Sequence, residues 1–287
     1  MLQVINISGY KFVPLENLSA LKDTLKTHCL QLQLKGTILL SPEGINVALS
    51  GSRTSIDSFK EFLFALPQIK GSFELKESAS QAHPFNRMLV RIKKEIIAFG
   101  VPGISPETYT SPHISAQTLR DWIRTQKDFV FLDTRNEYEV KLGTFKNAIN
   151  PHIESFRDFP KAVKELDPQL KNKPIVTFCT GGVRCEKAAP YLEKEGFKEV
   201  YQIHGGILKY FEETDGEGWE GECFVFDHRV CVGKDLEQTN KKLCFRCRAP
   251  LTEEDCLHED YKIDVSCPHC AQRAQSSDQL SLDTRSS

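Results

Sequence analysis

The stretch Pro174-Ile-Val-Thr-Phe178, then Cys179-Thr-Gly-Gly-Val-Arg184, then Cys185-Glu-Lys-Ala-Ala-Pro-Tyr-Leu192 constrains the fold more than any other part of the chain. A short run of β-branched and aromatic residues gives way to a glycine pair and then to a helix-forming segment. A strand feeding a helix through a tight loop is the unit of a mostly parallel sheet, and such sheets collect ligands at the carboxyl ends of their strands. The loop aims backbone N–H groups at one point, the helix dipole adds partial positive charge there, and Arg184 adds a full one. That field favours a thiolate, so Cys179 is the candidate nucleophile, held in an anion-binding loop of Thr180, Gly181, Gly182 and Val183.

The neighbouring segments alternate in the same way. Ser115 is placed to cap a helix bearing Leu119 and Trp122, and Phe129-Val-Phe-Leu-Asp133 reads as a buried strand. Thr134-Arg-Asn-Glu137 has the spacing of a capping box for the next helix. Val200-Tyr-Gln-Ile203 and then Gly205-Gly206 supply a last strand and turn. Residues 1–97 read differently, as strand, helix, two strands, helix and strands. The strands are expected at Val4–Ile7, Lys35–Ser41, Ile45–Ser50, Gly71–Lys76 and Met88–Ile97. One helix carries Leu18, Leu21 and Leu25, the other Ile56, Phe59, Leu63 and Leu66. This order predicts a ferredoxin-like α+β sandwich. A proline- and glycine-rich linker over 98–113 separates it from an α/β domain over 114–215. Residues 216–272 are cysteine-rich with little regular structure expected, and the polar tail 273–287 is expected to be disordered.

Loop length separates two chemistries. Four residues lie between Cys179 and Arg184. Cysteine-dependent phosphatases are similar but have a longer loop, usually with histidine before the cysteine, where this chain has Phe178. The shorter ring resembles that of rhodanese domains, which cradle a persulfide sulfur. Asp133-Thr-Arg135-Asn-Glu-Tyr-Glu139 resembles their Asp-x-Arg-x-x-x-Glu element, and His204-Gly-Gly206 matches the glycine pair after their last strand. From spacing, Arg135 and Glu139 read as an i,i+4 ion pair on a helix, and His204 as a turn residue. Cys185 is a candidate resolving thiol for a persulfide on Cys179, and plain packing fits it equally.

Ten cysteines in a chain with no cationic leader and no apolar run long enough to span a membrane call for catalysis or metal instead of disulfides. A cytoplasmic protein is expected. Cys244-Phe-Arg-Cys247 and Cys267-Pro-His-Cys270 form two C-x-x-C pairs separated by nineteen residues, a zinc-ribbon spacing that suits a structural Zn²⁺. Thiol redox chemistry is the rival, but only seventeen residues follow Cys270, too few for a thioredoxin-like domain around that motif. Cys223, Cys231, Cys256 and His258 stay unassigned, and Cys29 reads as core. No G-x-G-x-x-G dinucleotide fingerprint and no two-His-one-carboxylate iron site is evident, nor any flavin, nicotinamide or haem motif.

Taken with Lys35-Gly-Thr-Ile-Leu-Leu-Ser-Pro-Glu-Gly-Ile-Asn-Val-Ala-Leu-Ser-Gly51 and Gly221-Glu-Cys-Phe-Val-Phe-Asp-His-Arg-Val230, these features resemble the rhodanese-like bacterial tRNA uridine hydroxylases. The likeness extends to about residue 270. It implies an oxygen-dependent oxidoreductase forming 5-hydroxyuridine at the wobble position, with molecular oxygen as co-substrate and Cys179 as the persulfide position. The partners would be the tRNA anticodon region and a sulfur donor protein or small thiol. A net charge of −2 supplies no global attraction for nucleic acid, so a local basic face is needed. Arg87, Arg91, Lys93 and Lys94 are the candidates; on a strand, Arg91 and Lys93 share a face and Lys94 opposes them. A solvated edge strand explains the same charges. Two other functions fit parts of the chain: a sulfurtransferase passing persulfide sulfur to an acceptor thiol, and a scaffold with a degenerate rhodanese module. Intact Cys179 and Arg184 argue against the scaffold.

Overall fold

Alternating apolar residues build the first sheet. The computed structural model describes residues 3–69, 73–263 and 265–271. The tail expected at 273–287 lies outside these residues, as do Gly71 and Ser72 of the strand expected over Gly71–Lys76. Strands β1 (Val4–Phe12), β2 (Lys35–Ser41), β3 (Gly44–Gly51), β4 (Lys76–Ser80) and β5 (Met88–Ile92) lie in the order β4-β1-β3-β2-β5. Helices α1 (Leu18–Gln31) and α2 (Arg53–Ala65) complete the ferredoxin-like arrangement. The Ser52 hydroxyl caps α2 by accepting from Ser55 N–H at 3.1 Å. Ile56, Phe59 and Leu63 of α2, with Leu21, Leu25 and Cys29 of α1, bury against Ile5, Ile7, Val47 and Leu49. Each such side chain contributes about 1.5–3 kcal/mol by leaving water. The opposite face of β1 carries Ser8 and Tyr10, and Lys76 of β4 joins it because it pairs with Ser8. That face looks toward the second domain.

Three strands differ from expectation: β1 continues past the expected Ile7 to Phe12. β4 starts at Lys76 instead of ending there, and β5 stops at Ile92, short of the expected Ile97. Beyond Ile92 the chain leaves the sheet, and Glu95 caps the N–H groups of Phe99 and Gly100 at 3.0 and 3.1 Å.

The second sheet is parallel, with β6 (His113–Ile114), β7 (Val130–Asp133), β9 (Pro174–Phe178) and β10 (Glu199–Ile203) in the order β6-β10-β9-β7. Helices α3 (Ala116–Arg124), α4 (Glu137–Val140), α5 (Phe159–Lys164), α6 (Cys185–Lys194) and α7 (Gly206–Thr214) accompany it, with β8 at Gly143–Phe145. Ser115 caps α3 as expected, accepting from Thr118 N–H at 3.1 Å. The start of α4 is set by Asn136, whose N–H donates to the Glu139 carboxylate at 3.1 Å, not by Thr134 with Glu137. Asp133 binds both the backbone N–H and the guanidinium of Arg135, which delays the helix. The linker is not loose: Phe99 stacks on Phe156 at 4.9 Å and is 2% exposed.

The chain divides into two compact units at Gln238/Thr239. Strands β11 (Trp219–Gly221), β12 (Cys223–Phe224) and β13 (Cys231–Val232) belong to the first unit. β11 pairs with β8, and Trp219, Cys223, Val225 and Val232 complete the core around Phe145 and Phe178. In the second unit, β14 (Lys242–Leu243) pairs with β15 (Pro250–Leu251) ahead of α8 (Glu253–Leu257).

Candidate functional site

Because β9 ends at Phe178 and α6 begins at Cys185, residues 179–184 form a loop at the carboxyl edge of the parallel sheet. Cys179 is 1% exposed. Gly182 N–H donates to its sulfur at 3.1 Å, and the backbone N–H groups of Arg184 and Cys185 lie near it, that of Cys185 donating to Gly182 O at 3.0 Å. Burial acts to raise the Cys179 pKa. The Cys185 thiol hydrogen bond, the Arg184 charge and those N–H groups outweigh burial and hold it down to about 5. Cys185 moves the other way, pushed well above the ordinary thiol range by burial and by its anionic neighbour. The pair is a thiolate with a thiol donor beside it, which suits nucleophilic sulfur chemistry at neutral pH.

The glycine pairs have steric causes. A Cβ on Gly206 (φ +71°) would lie 2.5 Å from Cys179 O and 2.6 Å from Gly182 N. Its absence lets the start of α7 close on the loop, Ile207 N–H donating to Cys179 O at 3.0 Å and Leu208 N–H to Thr180 O at 3.2 Å. Thr180 in turn donates to Phe224 O at 3.2 Å, tying the loop to β12. Gly182 (φ +101°) admits the Tyr10 hydroxyl, which a Cβ there would approach to 2.9 Å. At Gly181 a side chain would meet open space, and Val183 is half-buried. His204 sits at the turn before Gly205, 3.8 Å from Glu74.

Arg184 does not point a free charge at the sulfur. Its guanidinium grips Glu139, Nη1 to Oε2 at 2.6 Å and Nη2 to Oε1 at 2.7 Å. The i,i+4 pair expected between Arg135 and Glu139 is therefore wrong. Arg135 precedes α4 and donates to Asp133 and to Gly143 O at 2.7 Å, packed over Trp219. Each acid of the Asp-x-Arg-x-x-x-Glu element thus has its own arginine: Asp133 fixes the neighbouring backbone, and Glu139 fixes the end of the cysteine loop.

Sequence reasoning missed the contribution of the N-terminal domain. The first turn of α6 is held by it: the Tyr10 hydroxyl donates to Glu186 Oε1 at 2.9 Å. The next residue, Lys187, is 1% exposed and reaches Glu43 at 2.8 Å and Glu95 at 2.7 Å. Lys76 Nζ donates to Gly181 O at 3.2 Å. Glu43 falls inside the quoted Ser-Pro-Glu-Gly block, a signal that the block does more than turn a hairpin. Tyr10 and Lys76 carried none.

The basic candidates are all exposed, but Arg91 alone lies within β5, with Arg87 just before it. Lys93 and Lys94 follow its end, so the strand alternation does not govern them. Among the described residues no acid pairs with these four, which leaves their charge available to an anionic partner.

The four tail cysteines come together. The Sγ atoms of Cys244, Cys247, Cys267 and Cys270 lie within 4.8 Å of one another. Cys244–Cys270, Cys247–Cys267 and Cys267–Cys270 are 3.7, 3.6 and 3.8 Å apart. A tetrahedron with metal–sulfur bonds of about 2.3 Å has edges of roughly 3.8 Å, so the donors fit a four-thiolate metal ion and are far too separated for disulfides.

Residues 4–96 match the family described as a UPF0176 acylphosphatase like domain, and residues 115–213 match the rhodanese-like domain. A solved rhodanese-like domain from Anabaena is 23% identical, covering 39% of this chain and 80% of its own, with a TM-score of 0.32. A curated relative from Cupriavidus metallidurans, named tRNA uridine(34) hydroxylase, is 46% identical over 95% of this chain and 98% of its own. One of the same name from Burkholderia cenocepacia is 43% identical over 94% of this chain and 98% of its own. Identity at this level over nearly the whole length has one consequence: the chain belongs to the tRNA uridine(34) hydroxylase family.

Proposed function

We propose that this chain is a tRNA-modifying oxidoreductase that hydroxylates uridine 34, with Cys179 as its reactive sulfur. The observation that carries the reading is the near full-length identity to curated hydroxylases, 43–46% in the relatives compared. The buried, acid-shifted Cys179 in its N–H cradle supports the assignment of the sulfur. In this reading the product is 5-hydroxyuridine, and molecular oxygen and a two-electron reductant are the co-substrates. Cys179 carries a persulfide whose outer sulfur is transferred from the persulfide of a donor protein or of a small thiol, which leaves as the thiol. Thr180, Gly181, Gly182 and Val183 hold the anionic sulfur, and Arg184 fixes the end of the loop. Cys185 would resolve the persulfide by attacking its inner sulfur, forming a Cys179–Cys185 disulfide and releasing hydrosulfide.

Cys179 is buried, so the wobble base must leave its stack to reach it. Arg87, Arg91, Lys93 and Lys94 would hold the anticodon backbone. Cys244, Cys247, Cys267 and Cys270 would hold a structural Zn²⁺, which stabilises the small second unit. Among the described residues no helix is long and apolar enough to cross a membrane, and a cytoplasmic location accords with a tRNA substrate.

The test is nucleoside mass spectrometry of tRNA from cells lacking the protein, complemented with wild type or Cys179→Ser. Wild type restores 5-hydroxyuridine derivatives and the variant does not. If wild type fails to restore them, sulfur transfer, which the four-residue loop favours by itself, replaces hydroxylation as the function. If both restore them, the chemistry lies away from Cys179.

A further inference from the structure

Arg184 acts on Cys179 as one end of a buried, bidentate pair with Glu139, which offsets part of its charge at the sulfur. A second cation reaches the loop from the other domain. Lys76 opens the edge strand β4, lies on the same sheet face as Tyr10, and donates to Gly181 O at 3.2 Å. Its side chain also packs at the glycine pair, Cε lying 3.2 Å from where a Cβ on Gly205 would be.

Among the described residues no carboxylate lies within ion-pair distance of Lys76 Nζ. The acids nearest it have other partners: Glu74 is 3.8 Å from His204, and Glu212 is 3.0 Å from Lys209, a neighbouring cation that opposes the Lys76 charge and is itself paired with Glu212 and Glu213. The remaining charged or titratable groups facing the sulfur are Cys185, Arg184 and Tyr10, and Tyr10 is neutral because burial and Glu186 raise its pKa well above the phenol range. We infer that Lys76, supplied by the N-terminal domain, is a second cation, without an ion-pair partner among the described residues, that helps to keep the Cys179 sulfur anionic, a positioning residue for the reaction at that sulfur. Burial lowers the Lys76 pKa and the Cys179 charge opposes that change, as expected of two groups that share a poorly solvated site. A rhodanese-type loop alone would lack this charge, and the N-terminal domain thereby gains a part in setting the reactivity of the cysteine.

The inference rests on Cys179 being the reacting sulfur; that assignment stands or falls with hydroxylation by Cys179→Ser, whereas Lys76 is tested without tRNA. The experiment is a pH titration of thiolate ultraviolet absorbance on the full chain, with the Cys179→Ser signal subtracted. It is run on wild type, Lys76→Gln and Lys76→Arg. Glutamine keeps a donor for Gly181 O and removes only the charge. The expected result is a Cys179 midpoint about one pH unit higher in Lys76→Gln, a roughly tenfold weaker acid, with recovery of the wild-type midpoint in Lys76→Arg. An unchanged midpoint in Lys76→Gln overturns the inference. An equal rise in both variants also overturns it, because packing and not charge would then be responsible.

Discussion

Glu139 closes a two-pronged ion pair on Arg184, 45 residues away in the chain, with both side chains withdrawn from water. A buried guanidinium that loses its acid keeps the desolvation cost and forfeits the attraction. Glu139→Gln is therefore expected to lose about 3–5 kcal/mol of stability in denaturant unfolding. A loss below about 1 kcal/mol, the range of exposed pairs, would mean that the pair does not hold the loop.

The Cys179 thiol makes stability depend on pH in a definite direction. Its folded pKa of about 5 lies below the unfolded thiol value of about 8.5, so between these limits the unfolded chain binds more protons. Its stabilisation is complete above the unfolded value and is lost as pH falls through the folded one. Cys185 works oppositely: its folded pKa is raised, so its contribution is present below the unfolded thiol value and lost as pH climbs beyond it. Unfolding of wild type and Cys179→Ser across pH should diverge with rising pH between about 5 and 8.5, by at most about 1.4 kcal/mol per unit. A constant difference across that range would show that Cys179 is not acid-shifted in the folded protein.

What was readable in advance followed from local pattern. The strand–loop–helix at Cys179 and the helical stripe Ile56, Phe59 and Leu63 are short-range signals, and the structure keeps both. The Asp-x-Arg-x-x-x-Glu spacing was also short-range, and there it misled: the pairing of Glu139 with Arg184 depends on where β7 and β9 lie side by side, which helix periodicity does not encode. Gly206 was visible as a glycine, but its reason, a carbonyl of the cysteine loop pressing where a Cβ would be, exists only in three dimensions. Tyr10 and Lys76 were beyond reach because their role depends on how the first sheet meets the second domain. The Cys244 and Cys267 pairs were legible because metal-site spacing is itself a local code.

Lys187 ties the helix after the cysteine loop to the first domain through Glu43 and Glu95. Lys187→Met leaves two neighbouring carboxylates without their cation. The expected loss is about 3 kcal/mol, the lower end for a broken buried pair, because both acids keep some contact with solvent. Limited proteolysis between residues 98 and 113 should quicken in the variant as the domains loosen. Unchanged stability and cleavage would show that the triad does not fasten them.

Metal content tests the tail directly. Protein prepared under reducing conditions should hold about one zinc per chain, the stoichiometry of a four-thiolate site. Chelation or Cys267→Ser should release it and expose residues 239–271 to protease, since binding energy and folding are one quantity in so small a unit. Metal-free protein that still protects this segment would leave the cysteines without that task.

The exposed, unpaired cations around β5 make a prediction about salt. Each phosphate contact releases a counterion, so binding weakens with a log–log slope set by the number of contacts. If Arg91 meets the tRNA backbone, Arg91→Glu should weaken binding at low salt and flatten that slope by about one or more. Arg91 forms no ion pair among the described residues, so the substitution breaks none and the fold should be spared, and unfolding checks this on the same sample. An unaltered slope with an intact fold would return these charges to the ordinary task of an edge strand, discouraging pairing with another sheet. In that case the anticodon must be held by some other face of the protein.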